Sequence, residues 1–195
     1  FLNLVIRLVV VLTRTRVIVE GVEHLPDQPG VIVASNHLSI TDPPLICLAI
    51  WRAAGRRVRY MAKAEAMETP IMGPALRAYG GFGVRRGQAD REAYRMSRAV
   101  LETGDWLGLA PEGTRSRNRG LGEPMPGVSL LATRSGAAVL PVGINRRSRG
   151  RARGGAEVLL EVLLTGKHYA PRGHAAGTVV EHAEHAATLG VVGCL

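Results

Sequence analysis

The stretch that decides the fold is VIVASNHLSITDPPLICLAI, residues 31–50. It begins with a continuous apolar run of strand length, which is typical of a strand buried on both faces of a sheet. After a short polar segment, Thr41 or Asp42 can cap a helix, and Pro43 can occupy the first helical position. We therefore predict a buried strand, a turn, and a helix that runs to about Ala54.

The same alternation continues along the chain, whose length of 195 residues suits a single domain. Further strands are predicted at 17–22, 58–63, 106–113, 137–144 and 157–164. Helical character is predicted at about 70–79, 90–103, 129–135 and 178–189. This order predicts an α/β fold with a mostly parallel or mixed central sheet flanked by helices. We place the domain at 17–195. Apart from the helical segment at 178–189, the part after about residue 165 is left unassigned.

The first 16 residues, FLNLVIRLVVVLTRTR, form a separate apolar segment. It is broken by Arg7 and is shorter than the roughly 20 residues that a membrane-spanning helix needs. Arg14 and Arg16 lie at the end of this segment, directly after its apolar part, which favours a helix lying on an anionic membrane surface. The alternative is an ordinary N-terminal core helix. We expect a membrane-associated protein on the cytoplasmic face.

The net charge of +9 is carried by arginine, since Lys63 and Lys167 are the only lysines. Such an excess attracts phosphate in lipids, nucleic acids or small molecules, although a general bias in composition would also produce it. Aromatic residues make up only 4% and are not interleaved with the arginines, which disfavours a nucleic-acid binder. The run RRSRGRARGG, residues 146–155, is interpreted as a solvated hairpin loop; the alternative is contact with a polyanion or membrane surface.

Cysteine and histidine patterns indicate no metal site. Cys47 lies in an apolar run and is predicted to be a core residue, and with only two cysteines there is no disulfide framework. This usage favours a reducing compartment. His182 and His185 lack an evident third ligand and are interpreted as surface residues.

His37 and Asp42 are five positions apart, between the end of a strand and the start of a helix. They can meet only if the segment between them turns. The carboxylate would then fix the imidazole tautomer and leave the other ring nitrogen as a base. No G-x-S-x-G motif supplies a nucleophile, so such a base would act on a substrate hydroxyl. The alternative is a loop histidine beside a capping aspartate.

The segment GLAPEGTRS, residues 108–116, resembles a phosphate-binding loop but lacks the required lysine. Glu112 would repel phosphates, which excludes a nucleotide site. Gly113 allows close backbone approach to a ligand, Thr114 offers a hydroxyl, and Arg115 offers a planar fork suited to phosphate. The alternative is a solvated turn.

The segment GGFGVRRG, residues 80–87, has G-x-G spacing, but its third glycine is misplaced for dinucleotide binding. If the segment is extended, Arg85 and Arg86 point in opposite directions. One of these arginines is then expected to face the site.

Together these segments resemble the lysophospholipid acyltransferase family, which includes 1-acylglycerol-3-phosphate and glycerol-3-phosphate acyltransferases. Four blocks match in order over roughly residues 17–145. The first block, N-H-x-x-x-x-D, is matched by Asn36, His37 and Asp42, and the second by Gly80, Phe82, Val84 and Arg86. The third, P-E-G-T-R-S, is matched by 111–116, and the fourth, V-x-P-V, by 139–142. The resemblance implies a glycerolphosphate-acyltransferase-like fold with an N-terminal apolar helix.

The resemblance also implies roles. His37 would be the general base and Asp42 its partner. The acceptor phosphate would be held by Arg86 and Arg115, in a pocket shaped by Glu112, Gly113 and Thr114, and Pro141 would belong to the acyl-donor region. The donor would be acyl-CoA or acyl-carrier protein, with no metal and no cofactor.

The implied reaction is acyl transfer to a lysophospholipid in phospholipid biosynthesis, with 1-acylglycerol-3-phosphate giving phosphatidic acid. Two alternatives stay open: another lysolipid or polar-lipid acceptor, and a non-catalytic lipid-binding protein of the same fold. Pro126 stands where the family often has lysine, which leaves the choice of acceptor and donor open.

Overall fold

The computed structural model describes residues 2–70, 72–85, 91–115, 124–148 and 156–162. The helices in these ranges are α1 (Leu2–Leu12), α2 (Asp42–Ala54), α3 (Ala64–Glu68), α4 (Met72–Ala78), α5 (Arg91–Glu102) and α6 (Gly127–Ser135). The strands are β1 (Arg16–Glu20), β2 (Ile32–Ser35), β3 (Val58–Lys63), β4 (Phe82–Val84), β5 (Trp106–Leu109), β6 (Val139–Ser148) and β7 (Ala156–Val162).

The strands form one sheet in the order β1-β7-β6-β2-β5-β3-β4. The five strands from β6 to β4 are parallel, whereas β7 is antiparallel to β6 and pairs in parallel with β1. The predicted α/β fold with a mixed, mostly parallel sheet is confirmed. Because β2 lies between β6 and β5, the segments that follow these three strands leave the sheet at the same edge.

Both faces of β2 are buried, which explains its unbroken apolar run. Val31 and Val33 pack on the face covered by α2, and Ile32 packs on the opposite face against α5 and α6. All three side chains are completely inaccessible to solvent. The predicted strand, turn and proline-started helix are confirmed, and the helix begins at Asp42, with Pro43 in its first turn.

The interpretation of residues 146–155 as a solvated loop was wrong for the first three residues. Arg146, Arg147 and Ser148 continue β6 and pair with β7, because the strand runs well past the end of its neighbour β2. The predicted hairpin between the two strands is confirmed, and residues 149–155 lie outside the described residues. The predicted helix at 178–189 and its two histidines also lie outside them.

α1 has two different faces. Ile6 and Val10 pack against the core, and the Tyr79 hydroxyl donates to Asn3 Oδ1 at 3.2 Å. The other face is apolar yet exposed: more than half of each side chain is accessible for Leu4, Leu8, Val11 and Leu12. α1 therefore combines both sequence alternatives, a core helix and an unburied apolar stripe. Among the described helices, none is long and apolar enough to cross a membrane.

Gly108 provides a test of sheet packing. It lies directly opposite Tyr60 in the β3–β5 register, and a Cβ atom at Gly108 would overlap the buried aromatic ring. We expect Gly108→Ala to lower the free energy of unfolding by about 1–3 kcal/mol, measured by chemical denaturation, because the ring must displace packed neighbours. Gly143→Ala is the matched control in β6, where the nearest atom would lie at an ordinary 3.8 Å. An equal loss in both variants would contradict this packing argument.

Candidate active site

The segment after β2 is fastened to β6 by a side chain. Asn36 Oδ1 accepts a hydrogen bond from the Ile144 backbone N–H at 2.7 Å, and Asn36 Nδ2 donates to the Ile144 carbonyl at 3.0 Å. The amide thus takes the place of a peptide group, one residue beyond the last β2–β6 pair, Ser35 with Val142. This attachment fixes the point at which the chain leaves the sheet towards His37.

The turn that follows wraps around the Asp42 carboxylate. Asp42 Oδ2 accepts hydrogen bonds from the backbone N–H groups of Leu38 at 2.6 Å and Ser39 at 2.5 Å. His37 Nδ1 lies 3.3 Å from the same oxygen. The turn therefore brings together two side chains that the helical period alone would separate, as the sequence predicted.

Asp42 is held as an anion despite being only 1% exposed. Burial by itself would raise its pKa. Hydrogen bonds from His37 and the Ser39 backbone, together with the Arg146 guanidinium, outweigh burial and hold the pKa of Asp42 below its ordinary value. An ionised carboxylate can only accept hydrogen bonds, so His37 Nδ1 must carry the proton that lies between them.

The opposite ring nitrogen of His37 is consequently the basic one. His37 Nε2 forms no hydrogen bond with any residue in the described ranges, and the side chain is 23% exposed. An imidazole held through Nδ1 by a carboxylate, with Nε2 left for a substrate, is the arrangement used in general-base catalysis. The geometry fits the predicted pairing; the catalytic role itself stays a prediction.

A second group of predicted residues follows β5, the strand next to β2. The chain turns tightly there, with the Gly113 N–H donating to the Ala110 carbonyl at 2.9 Å. Gly113 has a φ of 62°, in the left-handed region that favours glycine. Thr114 and Arg115 are exposed beyond it. This turn leaves the same edge of the sheet as the loop that carries His37.

Glu112 is the unusual member of this turn. Its Oε1 atom is buried and has no hydrogen-bond partner among the described residues. A buried carboxylate oxygen without a donor is costly, and a ligand hydroxyl or a cation would relieve that cost. The turn therefore contains an acceptor that no described residue satisfies.

Three residues of the matched blocks remain. Arg86 and Ser116 lie outside the described residues, although Arg85, directly after β4, is described. Pro141 is buried within β6 and pairs with Ala34, one residue before the end of β2. Its place in the acyl-donor region stays a prediction.

Arg146 is the site residue that the sequence reading missed. Its Nε and Nη2 atoms donate to Asp42 Oδ1 at 3.1 and 2.8 Å, and Nη2 also donates to the Thr41 hydroxyl. Arg146 is 104 residues away from Asp42 in sequence, inside a run of similar arginines, so no local pattern singles it out. No group of three or more potential metal ligands occurs among the residues that the structure describes.

Comparison with known proteins adds independent information. A family model described as Acyltransferase matches residues 16–145. The chain is 30% identical over 128 residues to the chloroplastic 1-acyl-sn-glycerol-3-phosphate acyltransferase LPAT1 of Arabidopsis thaliana, a match covering 64% of this chain and 34% of that protein. It is also 30% identical over 129 residues to a 1-acyl-sn-glycerol-3-phosphate acyltransferase of Borreliella burgdorferi, covering 65% and 50% respectively.

The fold has a counterpart among solved structures. The crystal structure of the 1-acyl-sn-glycerophosphate acyltransferase PlsC from Thermotoga maritima aligns with a TM-score of 0.74 and 24% identity. The alignment covers 97% of this chain and 76% of that one. The two sequence matches span 34% and 50% of the length of those relatives.

The Gly113 turn generates a prediction that separates binding from stability. Alanine at Gly113 would be strained by its positive φ and would collide with the Met125 thioether. Gly136→Ala is the control, because Gly136 has a similar φ of 69° but open space around it. We expect both variants to lose about 1–2 kcal/mol of stability. In an acyl-transfer assay with 1-acylglycerol 3-phosphate, the compound in the names of the relatives, we expect only Gly113→Ala to raise the KM severalfold as well; equal KM values in the two variants would argue against a ligand at this turn.

Proposed function

We propose that this chain, which belongs to the acyltransferase family, moves a fatty acyl group from an acyl thioester to a hydroxyl of a lysophospholipid. The proposed acceptor is 1-acylglycerol 3-phosphate, and the product is phosphatidic acid. The observation that carries the proposal is the His37–Asp42 pair at the same sheet edge as the turn from Pro111 to Arg115. A base without an enzyme nucleophile suits an acceptor that brings its own hydroxyl.

The reaction follows from this arrangement. His37 Nε2 removes the proton of the acceptor hydroxyl as its oxygen attacks the thioester carbon, forming the C–O bond. The imidazolium that results is stabilised by the Asp42 carboxylate. Collapse of the tetrahedral intermediate breaks the C–S bond, and His37 returns the proton to the departing thiolate. This chemistry needs no metal ion and no bound cofactor.

The turn after β5 supplies groups that suit a glycerol phosphate. The exposed Arg115 guanidinium offers paired donors to phosphate oxygens, and Arg86 is proposed as a second phosphate ligand. The unsatisfied Glu112 oxygen is suited to accept from a glycerol hydroxyl. Holding both substrates in register would account for much of the rate enhancement. The donor is proposed to be acyl-CoA or acyl-carrier protein.

Acyl transfer from labelled acyl-CoA to a panel of lysophospholipids tests the proposal. We expect turnover with 1-acylglycerol 3-phosphate and a loss of about 100-fold or more in His37→Ala, since general-base catalysis typically contributes that much. His24→Ala is the matched control: His24 is also partly buried, and its Nδ1 lies 3.3 Å from the Val162 carbonyl. It should retain activity.

Other results of the same assay favour the alternatives. Preferential turnover of a different lysolipid would reassign the acceptor. Binding of lysolipid without turnover of any acceptor would instead indicate a lipid-binding protein of the same fold. Full activity in His37→Ala would show that the base is elsewhere.

We also propose that the protein works at the cytoplasmic face of a membrane. The support is the exposed apolar face of α1, with Leu8 at 56% and Leu12 at 72% exposure, next to Arg14 and Arg16. Apolar insertion combined with basic residues suits an anionic lipid surface. The proposed substrates have acyl chains that reside in such a surface.

Vesicle binding tests this second proposal without disturbing the core. The double variant Leu8→Gln/Leu12→Gln should lose binding to anionic vesicles while its melting temperature stays unchanged, because both side chains are already exposed. Leu130→Gln is the control on α6, against the opposite face of the sheet, where Leu130 is 44% exposed. Unchanged vesicle binding in the α1 variant would count against α1 as the anchor.

A further inference from the structure

The two oxygens of the Asp42 carboxylate serve different partners. Oδ2 accepts hydrogen bonds from the His37 ring and from the backbone N–H groups of Leu38 and Ser39. Oδ1 accepts hydrogen bonds from two guanidinium nitrogens of Arg146. A carboxylate held from both sides cannot rotate freely about its χ2 angle, so the oxygen that faces His37 is fixed.

Arg146 also joins this carboxylate to the start of α2. Its Nη2 atom bridges Asp42 Oδ1 and the Thr41 hydroxyl. A flexible ammonium could not reproduce this planar fork, because lysine offers a single point charge rather than paired donors. The guanidinium therefore holds both the carboxylate and the neighbouring Thr41 side chain.

The support comes from the part of β6 that extends beyond β2. Ile144 holds Asn36, and Arg146, two residues further along the strand, holds Asp42. Ile144 does so through its backbone N–H and carbonyl, and Arg146 through its guanidinium. The extension of β6 thus holds the loop of the candidate site at both of its ends.

We propose that Arg146 is a positioning residue for the His37 base: it orients and charge-balances Asp42 so that His37 is kept with its proton on Nδ1. The proposal rests on the proposed acyl transfer, in which Nε2 must be free to accept a proton. Arg146 itself acts through Asp42 and need not touch either substrate.

Among the described residues, few charged groups surround the His37–Asp42 pair. Arg146 is the cation that contacts Asp42, and His37 is its titratable partner. Tyr60 on β3 also lies near Asp42, but burial raises its pKa well above the ordinary value, so its hydroxyl stays neutral. We therefore expect a substitution of Arg146 to change which His37 ring nitrogen carries the proton.

The test uses Arg146→Gln, Arg146→Lys and the matched control Arg59→Gln. Arg59 is similarly exposed but pairs with the less buried Asp105, which comes directly before β5 and so lies at the opposite edge of the sheet. Imidazole ¹⁵N spectra, assigned with His37→Ala, should show one His37 tautomer in the wild type and a mixture in Arg146→Gln. Arg59→Gln should keep the wild-type spectrum.

Steady-state kinetics give a second readout. We expect Arg146→Gln to lower kcat by about 10- to 100-fold, which is part of what a general base itself typically contributes. Both KM values should change little. The acidic limb of the pH–rate profile should move to higher pH, because Asp42 without the guanidinium protonates more easily and a protonated Asp42 no longer holds the His37 ring as an anion. Arg146→Lys should restore part of kcat.

Several outcomes would overturn the proposal. A single His37 tautomer together with an unmoved pH limb in Arg146→Gln would show that Arg146 does not control the base. A higher acceptor KM with unchanged kcat would make Arg146 a substrate ligand instead. If the wild type turns over no acceptor but its His37 tautomer depends on Arg146, the proposed function fails while the positioning role stands.

Discussion

The buried carboxylate of Asp42 must be stabilised by partners, because a charge taken out of water is costly unless hydrogen bonds and an opposite charge compensate it. Those partners come from two separate parts of the chain: the turn after β2 and the far end of β6. Each contact that satisfies the carboxylate also fixes one element relative to the others. The requirements of one anion thus determine how the loop containing His37 is shaped.

The parallel sheet provides the frame for this arrangement. With β6, β2 and β5 side by side and parallel, the loop with His37, the turn with Glu112 and the extension with Arg146 all arise at one edge. The core residues that bury β2 on both faces keep the strand, and hence the loop, from shifting. Backbone pairing between these strands therefore brings together the two parts proposed for base chemistry and for acceptor binding.

Much of the fold could be predicted from the sequence, because its signals are local. The apolar run before His37, the prolines after Asp42 and the spacing of later strands indicated most of the order of elements, although the short elements α3 and β4 were not predicted. The meeting of His37 and Asp42 was also predictable, since a turn between a strand and a helix was required. Arg146 was not, because its partner is 104 residues away and its neighbours are also arginines. The pairing that extends β6 beyond residue 144 produces no periodic pattern in the local sequence. The length of this strand was therefore underestimated.

The position of β6 in the chain has a consequence for how the protein is made. When a ribosome has released only the first 138 residues or so, β2, α2 and the Glu112 turn have been synthesised, but β6 has not. Asn36 then lacks Ile144, and Asp42 lacks its counter-charge. Domains generally fold as units during synthesis, so the His37 loop cannot be completed before the strand that orders it has emerged. Assembly of the base is therefore a late event in folding, tied to the docking of a strand from the last third of the chain.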